Sequence, residues 1–199
     1  MVIPVHFIVT DAKGNSIVIE YIKGQLNIHD NEYGVITNSP PFDWMTTNIR
    51  NYLRLSPNNL IGKTVNGKNL TPFGEGSGMF GVPGDFTPPS RFIRGLFFSI
   101  ASLTGNNSQD ASMQVFHILN NFDIPEGTVR SEKGKVTAYD RTQWTSVHDL
   151  NKKKYYYKTE GNTRIRVVKL LNCNLSAETI LKLTMETPED IQDVTSDLK

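Results

Sequence analysis

The run TPFGEGSGMFGVPGDFTPPSRFIRGLFFSIAS, residues 71–102, constrains the fold more than any other stretch of this chain. Its glycines permit backbone conformations that side-chain-bearing residues avoid. Pro88 and Pro89 then preset φ at a helix start, where a missing N–H goes unnoticed. Phe92, Ile93, Leu96, Phe97 and Ile100 follow at helical spacing as one wide apolar stripe. A helix of that kind must bury its stripe, so this segment reads as part of the core. Arg91 sits in its first turn as a fixed cation at the mouth of the loop. Two readings of Arg91 stand side by side. It is an ordinary surface guanidinium, or a site cation that forks toward oxygen or sulfur anions and lowers a thiol pKa.

At 199 residues and 38% hydrophobic, the chain can bury a sizeable core as a single domain, residues 1–199. Lys+Arg 21 against Asp+Glu 20 gives a net charge of +1, which points to neither a nucleic acid nor a membrane surface as partner. No apolar run approaches the ~18 residues of a membrane span. One cysteine, Cys173, excludes an internal disulfide. It lies in LLNCNL with no neighbouring histidine and reads as a partly buried structural thiol.

Residues 5–37 read as a β-meander, VHFIVTD and SIVIEYI around the turn DAKGN, then LNIHDNEYGVITN with Asp30, Asn31 and Gly34 as turn residues. Phe42, Met45, Ile49 and Leu53 recur at helical spacing. Residues 55–90 lack a period and read as a functional or assembly loop. After the Phe92 helix, a second helix is expected with Asp110 near its start. Its buried face is Val115, Ile118, Leu119 and Phe122, and Pro125 and Gly127 end it. TQWTSVHDL, KKYYYKT and RIRVVKL read as strands, and the acidic stretch 186–199 as a frayed tail. Strands, then helices, then strands make the class α+β.

Most candidate chemistry falls away on inspection. Gly76-x-Gly78-x-x-Gly81 spells a dinucleotide fingerprint, but no strand precedes it and Val-Pro-Gly follows, so it reads as an irregular loop. His6, His29, His117 and His148 show no metal-ligand spacing, so no metal is expected, and nothing implies a cofactor. No GxSxG elbow is present. The stretch Lys152–Lys158 reads as an edge strand with alternating Lys and Tyr. Asn38 ends the expected strand GVITN. It is either a turn-capping Asn or an amide donor aimed at an oxyanion.

HFIVTDAKGNSIVIEY, GVITNSPPFDWMTTNIRNY, GEGSGMFGVPGDFTPPSRFIRGLFF, FHILNNFDIPEGTVR and TQWTSVHDLNKKKYYYKT with its GNTRIR partner together resemble the choloylglycine hydrolase family, over nearly all of residues 5–170. That family contains conjugated bile salt hydrolases and penicillin V acylases. The resemblance implies an αββα sandwich of the N-terminal-nucleophile hydrolase type, here incomplete, and a small-molecule amide substrate. It also implies a homo-oligomer. A cysteine at the mature N-terminus attacks the amide, with its own α-amine as base. Through the TNSP motif, Asn38 resembles the asparagine that stabilises the oxyanion. Through PPSRF, Arg91 resembles the arginine beside the nucleophilic sulfur. The family's nucleophile has no counterpart among these residues, so the chain is expected to be the C-terminal part of such an amidase and inactive alone. The alternative is a non-catalytic remnant or ligand-binding fragment.

Overall fold

A computed structural model describes residues 5–133 and 136–198, and the chain divides between Leu103 and Thr104 into two compact units. In the first unit the β-branched runs form β1 (His6–Thr10), β2 (Ser16–Ile22) and β3 (Gln25–Asp30), antiparallel in the order β1-β2-β3. The Asp11 carboxylate closes the first turn by accepting the N–H groups of Lys13 and Asn15. Lys23 and Gly24 close the second with φ of 51° and 80°, the left-handed pair a two-residue hairpin needs.

Strand alternation puts Val18 and Glu20 on the same face of β2, and that face carries the helices. These are α1 (Phe42–Asn48), continued by a 3-10 turn over Ile49–Tyr52, and α2 (Pro88–Ala101). Phe42, Met45, Phe92, Ile93, Leu96 and Phe97 join Val18 in one cluster, with Phe92 and Ile93 fully buried. The opposite face of the sheet leaves Phe7, Val9, Tyr21, Leu26 and Ile28 exposed.

Three sequence expectations need correction here. GVITN is not a strand: residues 35–38 join no sheet, because Val35 and Ile36 pack on the helical cluster instead. Ile100 is 66% exposed, since the buried stretch of α2 ends at Phe97. The 55–90 region contains a hairpin, β4 (Lys63–Val65) and β5 (Lys68–Leu70), turned by Asn66 and Gly67 at φ 48° and 75°. An Asn-Gly pair is the strongest short signal for such a turn.

The second unit opens with α3 (Ser108–Leu119), whose first N–H groups, Gln109 and Asp110, donate to the Asn107 side-chain carbonyl. A hairpin of β6 (Val129–Lys133) and β7 (Val136–Asp140) follows. Then come β8 (Trp144–Asp149), β9 (Lys154–Thr159) and β10 (Asn162–Lys169), in the order β10-β9-β8. Phe116, Val147 and Tyr156 form the core, with Met113 and Leu119 against them. The expected face of α3 is rotated. Val115 is 40% exposed and Phe116 is buried, because the helix seats its Ser112–Phe116 side on the sheet.

The Lys152–Lys158 segment is likewise not an edge. Hairpins to β8 and β10 occupy both sides of β9, and Tyr156 and Tyr157 are buried. The acidic stretch read as a frayed tail begins bonded to β10: Asn162 donates to Thr187 and to the Pro188 carbonyl, Thr163 N–H donates to Glu189, and Arg164 pairs with Asp190. Each unit sets helix against antiparallel sheet, so the class is α+β. Among the described residues no helix is long and apolar enough to cross a membrane.

Removing the Phe92 ring would leave a cavity that its neighbours fill only partly. Phe92→Ala is expected to cost about 3–5 kcal/mol in urea unfolding. The exposed apolar face of β1–β3 predicts concentration-dependent association in sedimentation velocity. Phe7→Lys with Ile28→Lys should suppress it, and a wild-type chain that stays monomeric at every concentration would contradict this.

Candidate active site

The site begins with a buried cation in α2. Arg94 is 5% exposed, and its Nη1 donates to the carbonyls of Pro83 and Asp85 at 2.7 and 2.8 Å. These bonds fold the GVPGDF loop back onto the helix that follows it. Asp85 then latches the loop through its side chain. Its Oδ1 accepts from the Thr87 N–H at 2.9 Å and the Thr87 hydroxyl at 2.5 Å, and its Oδ2 accepts from the Ser90 hydroxyl at 2.6 Å. The Ser90 bond, then the Thr87 bonds, hold the Asp85 carboxyl at about 2, well below its ordinary value. Neither residue was singled out from the sequence. Arg94 carried a signal, a lone cation among Phe92, Ile93, Leu96 and Phe97.

With the loop fixed, Arg91 has one direction to point. Its Nε donates to the Phe86 carbonyl at 3.0 Å, and its Nη2 reaches Asn38 Oδ1 at 2.7 Å. Burial, then the charge of Arg94, lowers the Arg91 pKa. An arginine starts high enough to remain charged at neutral pH all the same. Residues 38 and 91, chosen separately from the sequence, are thus in direct contact.

Asn38 lies on a bend at the end of the segment that packs Val35 and Ile36. One residue earlier, the Thr37 hydroxyl donates to the Pro88 carbonyl at 3.1 Å, tying this segment to the start of α2. The Asn38 side-chain carbonyl accepts from Arg91, 53 positions away in sequence. Because Oδ1 accepts from a guanidinium, the amide orientation is set and Nδ2 is left outward at an exposed position. An outward amide donor beside a fixed cation suits a developing oxyanion or a thiolate.

Four residues beyond Asn38, the Phe42 N–H meets a carboxylate that carried no motif in the sequence. Glu20 is 0% exposed. Its two oxygens accept the Phe42 N–H at 3.0 and 3.1 Å, and Oε1 lies 2.9 Å from His6 Nδ1. His29 Nε2 lies 3.8 Å from Oε2. The available signal was parity: Glu20 is two residues from Val18 in a strand, on the same face.

The remaining candidates occupy structural places. His148 packs edge-on against Tyr155, and His117 is exposed. Among the described residues no three His, Cys, Asp or Glu side chains are arranged to hold a metal. Gly78 is required by crowding, since a Cβ there would meet the Asn58 carbonyl at 1.9 Å. Gly78 lies in a 3-10 turn over Ser77–Met79 that Gly76 precedes at φ 85°, and no α-helix starts there. Cys173 lies in the second unit, half-buried, with its thiol 3.6 Å from the Lys169 carbonyl.

Residues 1–195 match the family described as linear amide C–N hydrolases, choloylglycine hydrolase family. The bile salt hydrolase/transferase of Clostridium perfringens is 39% identical over 175 residues, covering 88% of this chain and 52% of that protein. That of Lactiplantibacillus plantarum is 35% identical over 187 residues, covering 92% and 56%. A crystal structure of a mutant conjugated bile acid hydrolase from Clostridium perfringens matches with a TM-score of 0.85 and 37% identity, over 96% of this chain and 57% of that one. The penicillin V acylase of Agrobacterium tumefaciens matches with a TM-score of 0.66 and 24% identity, over 87% and 48%, a likeness of fold. The chain spans about half the length of the curated relatives it matches.

The Asp85 latch predicts a pH dependence. A carboxyl whose folded pKa is depressed stabilises the fold above its unfolded value, and that contribution is lost as pH falls through the folded value. Asp85→Ala is expected to lower stability at neutral pH by about 1 kcal/mol, the usual net worth of a hydrogen bond. In thermal melts the gap between wild type and variant should be full above about pH 5 and closed by about pH 2.

Proposed function

Because the chain belongs to the choloylglycine hydrolase family of linear amide C–N hydrolases, we propose that it forms part of the site of an amidase acting on conjugated bile acids or penicillin V-like amides. Relatives whose names specify bile salt or conjugated bile acid hydrolysis, and one named penicillin V acylase, support that substrate class. The αββα layering of the N-terminal-nucleophile hydrolases belongs to the same proposal.

The observation that carries the reading is the 2.7 Å bond from Arg91 Nη2 to Asn38 Oδ1. The proposed nucleophile is a cysteine thiolate supplied from outside these 199 residues, since Cys173 is peptide-bonded on both sides and has no free α-amine. The α-amine of the nucleophilic cysteine takes the thiol proton, and the sulfur adds to the amide carbon. The carbonyl electron pair moves to oxygen, where the outward Asn38 N–H donates to it. Arg91 holds the thiolate charge and, through its bond to Oδ1, keeps the Asn38 amide turned the right way. The tetrahedral species expels the amine, which receives the proton from the α-amine, and leaves a thioester. Water then releases the acid and restores the thiol.

Assembly as a homo-oligomer is a further part of the proposal. Leu60, Ile61 and Phe80 line a groove of about 860 Å³ on the 55–81 region, and Phe73 stands fully exposed beside it. A second copy would cover such a surface.

The kinetic test uses a preparation that turns over glyco- or tauro-conjugates or penicillin V. Asn38→Ala should lower kcat by about 10²–10³ with little change in KM, the usual effect of losing one oxyanion donor. Arg91→Lys should also be impaired, because an ammonium cannot serve Phe86 and Asn38 with one planar fork. The 199 residues by themselves should release no amine, and turnover by them would overturn the mechanism.

A further inference from the structure

We propose that Glu20 is a positioning residue for Asn38, acting through the backbone N–H of Phe42. The inference rests on the reading of Asn38 as the oxyanion donor. It begins from a choice the fold makes against its own hydrophobic economy. Glu20 occupies a central inward position of β2, fully buried beside Val18, where an apolar side chain would pack without desolvating a charge. A carboxylate survives there only if its oxygens are satisfied, and each is. Oε1 meets His6 Nδ1 at 2.9 Å and the Phe42 N–H at 3.0 Å, and Oε2 meets the same N–H at 3.1 Å. His6 stands directly across from Glu20 in the β1–β2 ladder. His29 faces Oε2 from β3 at 3.8 Å and sets its ring at a tilt against Phe42, 5.6 Å between centroids.

What this arrangement grips is the chain leaving the site. Asn38 is separated from Phe42 by Ser39, Pro40 and Pro41 only, and the two prolines fix φ over half of the bridge. On its other side, the Thr37 hydroxyl holds the Pro88 carbonyl. Asn38 is therefore slung between two anchors, the start of α2 and the Glu20 carboxylate, with little slack between them. Arg91 sets which way its amide faces, and the anchors set where that amide lies. An oxyanion donor displaced by a fraction of an ångström loses much of its effect, so the second anchor bears on turnover.

The test compares three substitutions. Glu20→Gln keeps the volume but replaces one acceptor oxygen by a donor that opposes the Phe42 N–H. Val18→Ala is a cavity control on the same strand face. Glu20→Asp keeps the charge and withdraws it by one methylene, and serves where the Gln variant melts too low to record. In amide-detected NMR of the chain, Glu20→Gln or Glu20→Asp should lower hydrogen-exchange protection at Phe42 and shift the Asn38 side-chain NH₂ and Arg91 Nε–H signals. Val18→Ala should lower the melting temperature and leave those two side-chain signals in place. In a preparation that turns over, Glu20→Gln should lower kcat about tenfold or more with KM nearly unchanged. Asn38 and Arg91 signals that stay put in both Glu20 variants overturn the proposal, as does an equal shift in Val18→Ala. Signals that move while kcat holds would keep the anchor but sink the catalytic reading of Asn38, so the two failures are distinguishable.

Discussion

Helix α2 can bury Phe92 and Ile93 only if the charged side chain in the same turn finds partners, and Arg94 finds two of them at Nη1. Its guanidinium lies among the apolar residues of the helix because two loop carbonyls, Pro83 and Asp85, come to it. The dependence runs both ways. The loop has its shape because Arg94 pulls it back, and the helix can sit in the core because two loop carbonyls accept from the guanidinium Nη1. A guanidinium serves better here than an ammonium, since its planar fork presents several donors at fixed angles. Everything nearer the site inherits its geometry from this knot. Asp85 is where it can accept from Thr87 and Ser90, Phe86 turns its carbonyl toward Arg91, and Arg91 is left with one free direction.

A second buried charge does a comparable job on the sheet side. Glu20 joins β1, β2 and the start of α1 through one carboxylate, so the helix and the sheet share hydrogen bonds as well as apolar contact. The two buried charges are unlike in sign and are held by different means. Arg94 is held at Nη1 by backbone carbonyls, and Glu20 by an imidazole and a backbone N–H. Between them runs the segment Thr37–Pro41, tied to α2 at one end and delivered to Glu20 at the other. Specificity of placement, more than net stability, is the usual return on burying such groups.

Much of this was legible from spacing and residue type. The β1–β3 meander, the β8–β10 meander, the two long helices and the location of Pro88 as a helix start follow from periodicity and punctuation. Asn38 and Arg91 could be named because their flanking residues are unusual and resemble a family's motifs. Other positions were misread for identifiable reasons. GVITN has strand-like composition, yet Val35 and Ile36 find apolar contact on the helices, and burial outweighs β-propensity. Val115 and Phe116 are adjacent, so a small error in the phase of α3 exchanges the buried residue for an exposed one. The Lys and Tyr alternation of β9 reads as an edge because lysines suggest solvent, but Lys158 extends its ammonium to Asp123 and Asn120 from a central strand.

Local preference acts over a few residues, and within that reach the sequence alone determined most of the extended and helical segments and where glycine and proline break them, while its motifs taken together carried the resemblance to the choloylglycine hydrolase family. It could not bring residue 38 to residue 91, or residue 20 to residue 42. Those meetings require the sheet to be covered by the helices, after which hydrogen bonds across 53 and 22 positions close. A buried carboxylate and an outward-turned amide are invisible as single letters. Only tertiary packing decides which polar atom is excluded from water and which one is left facing it.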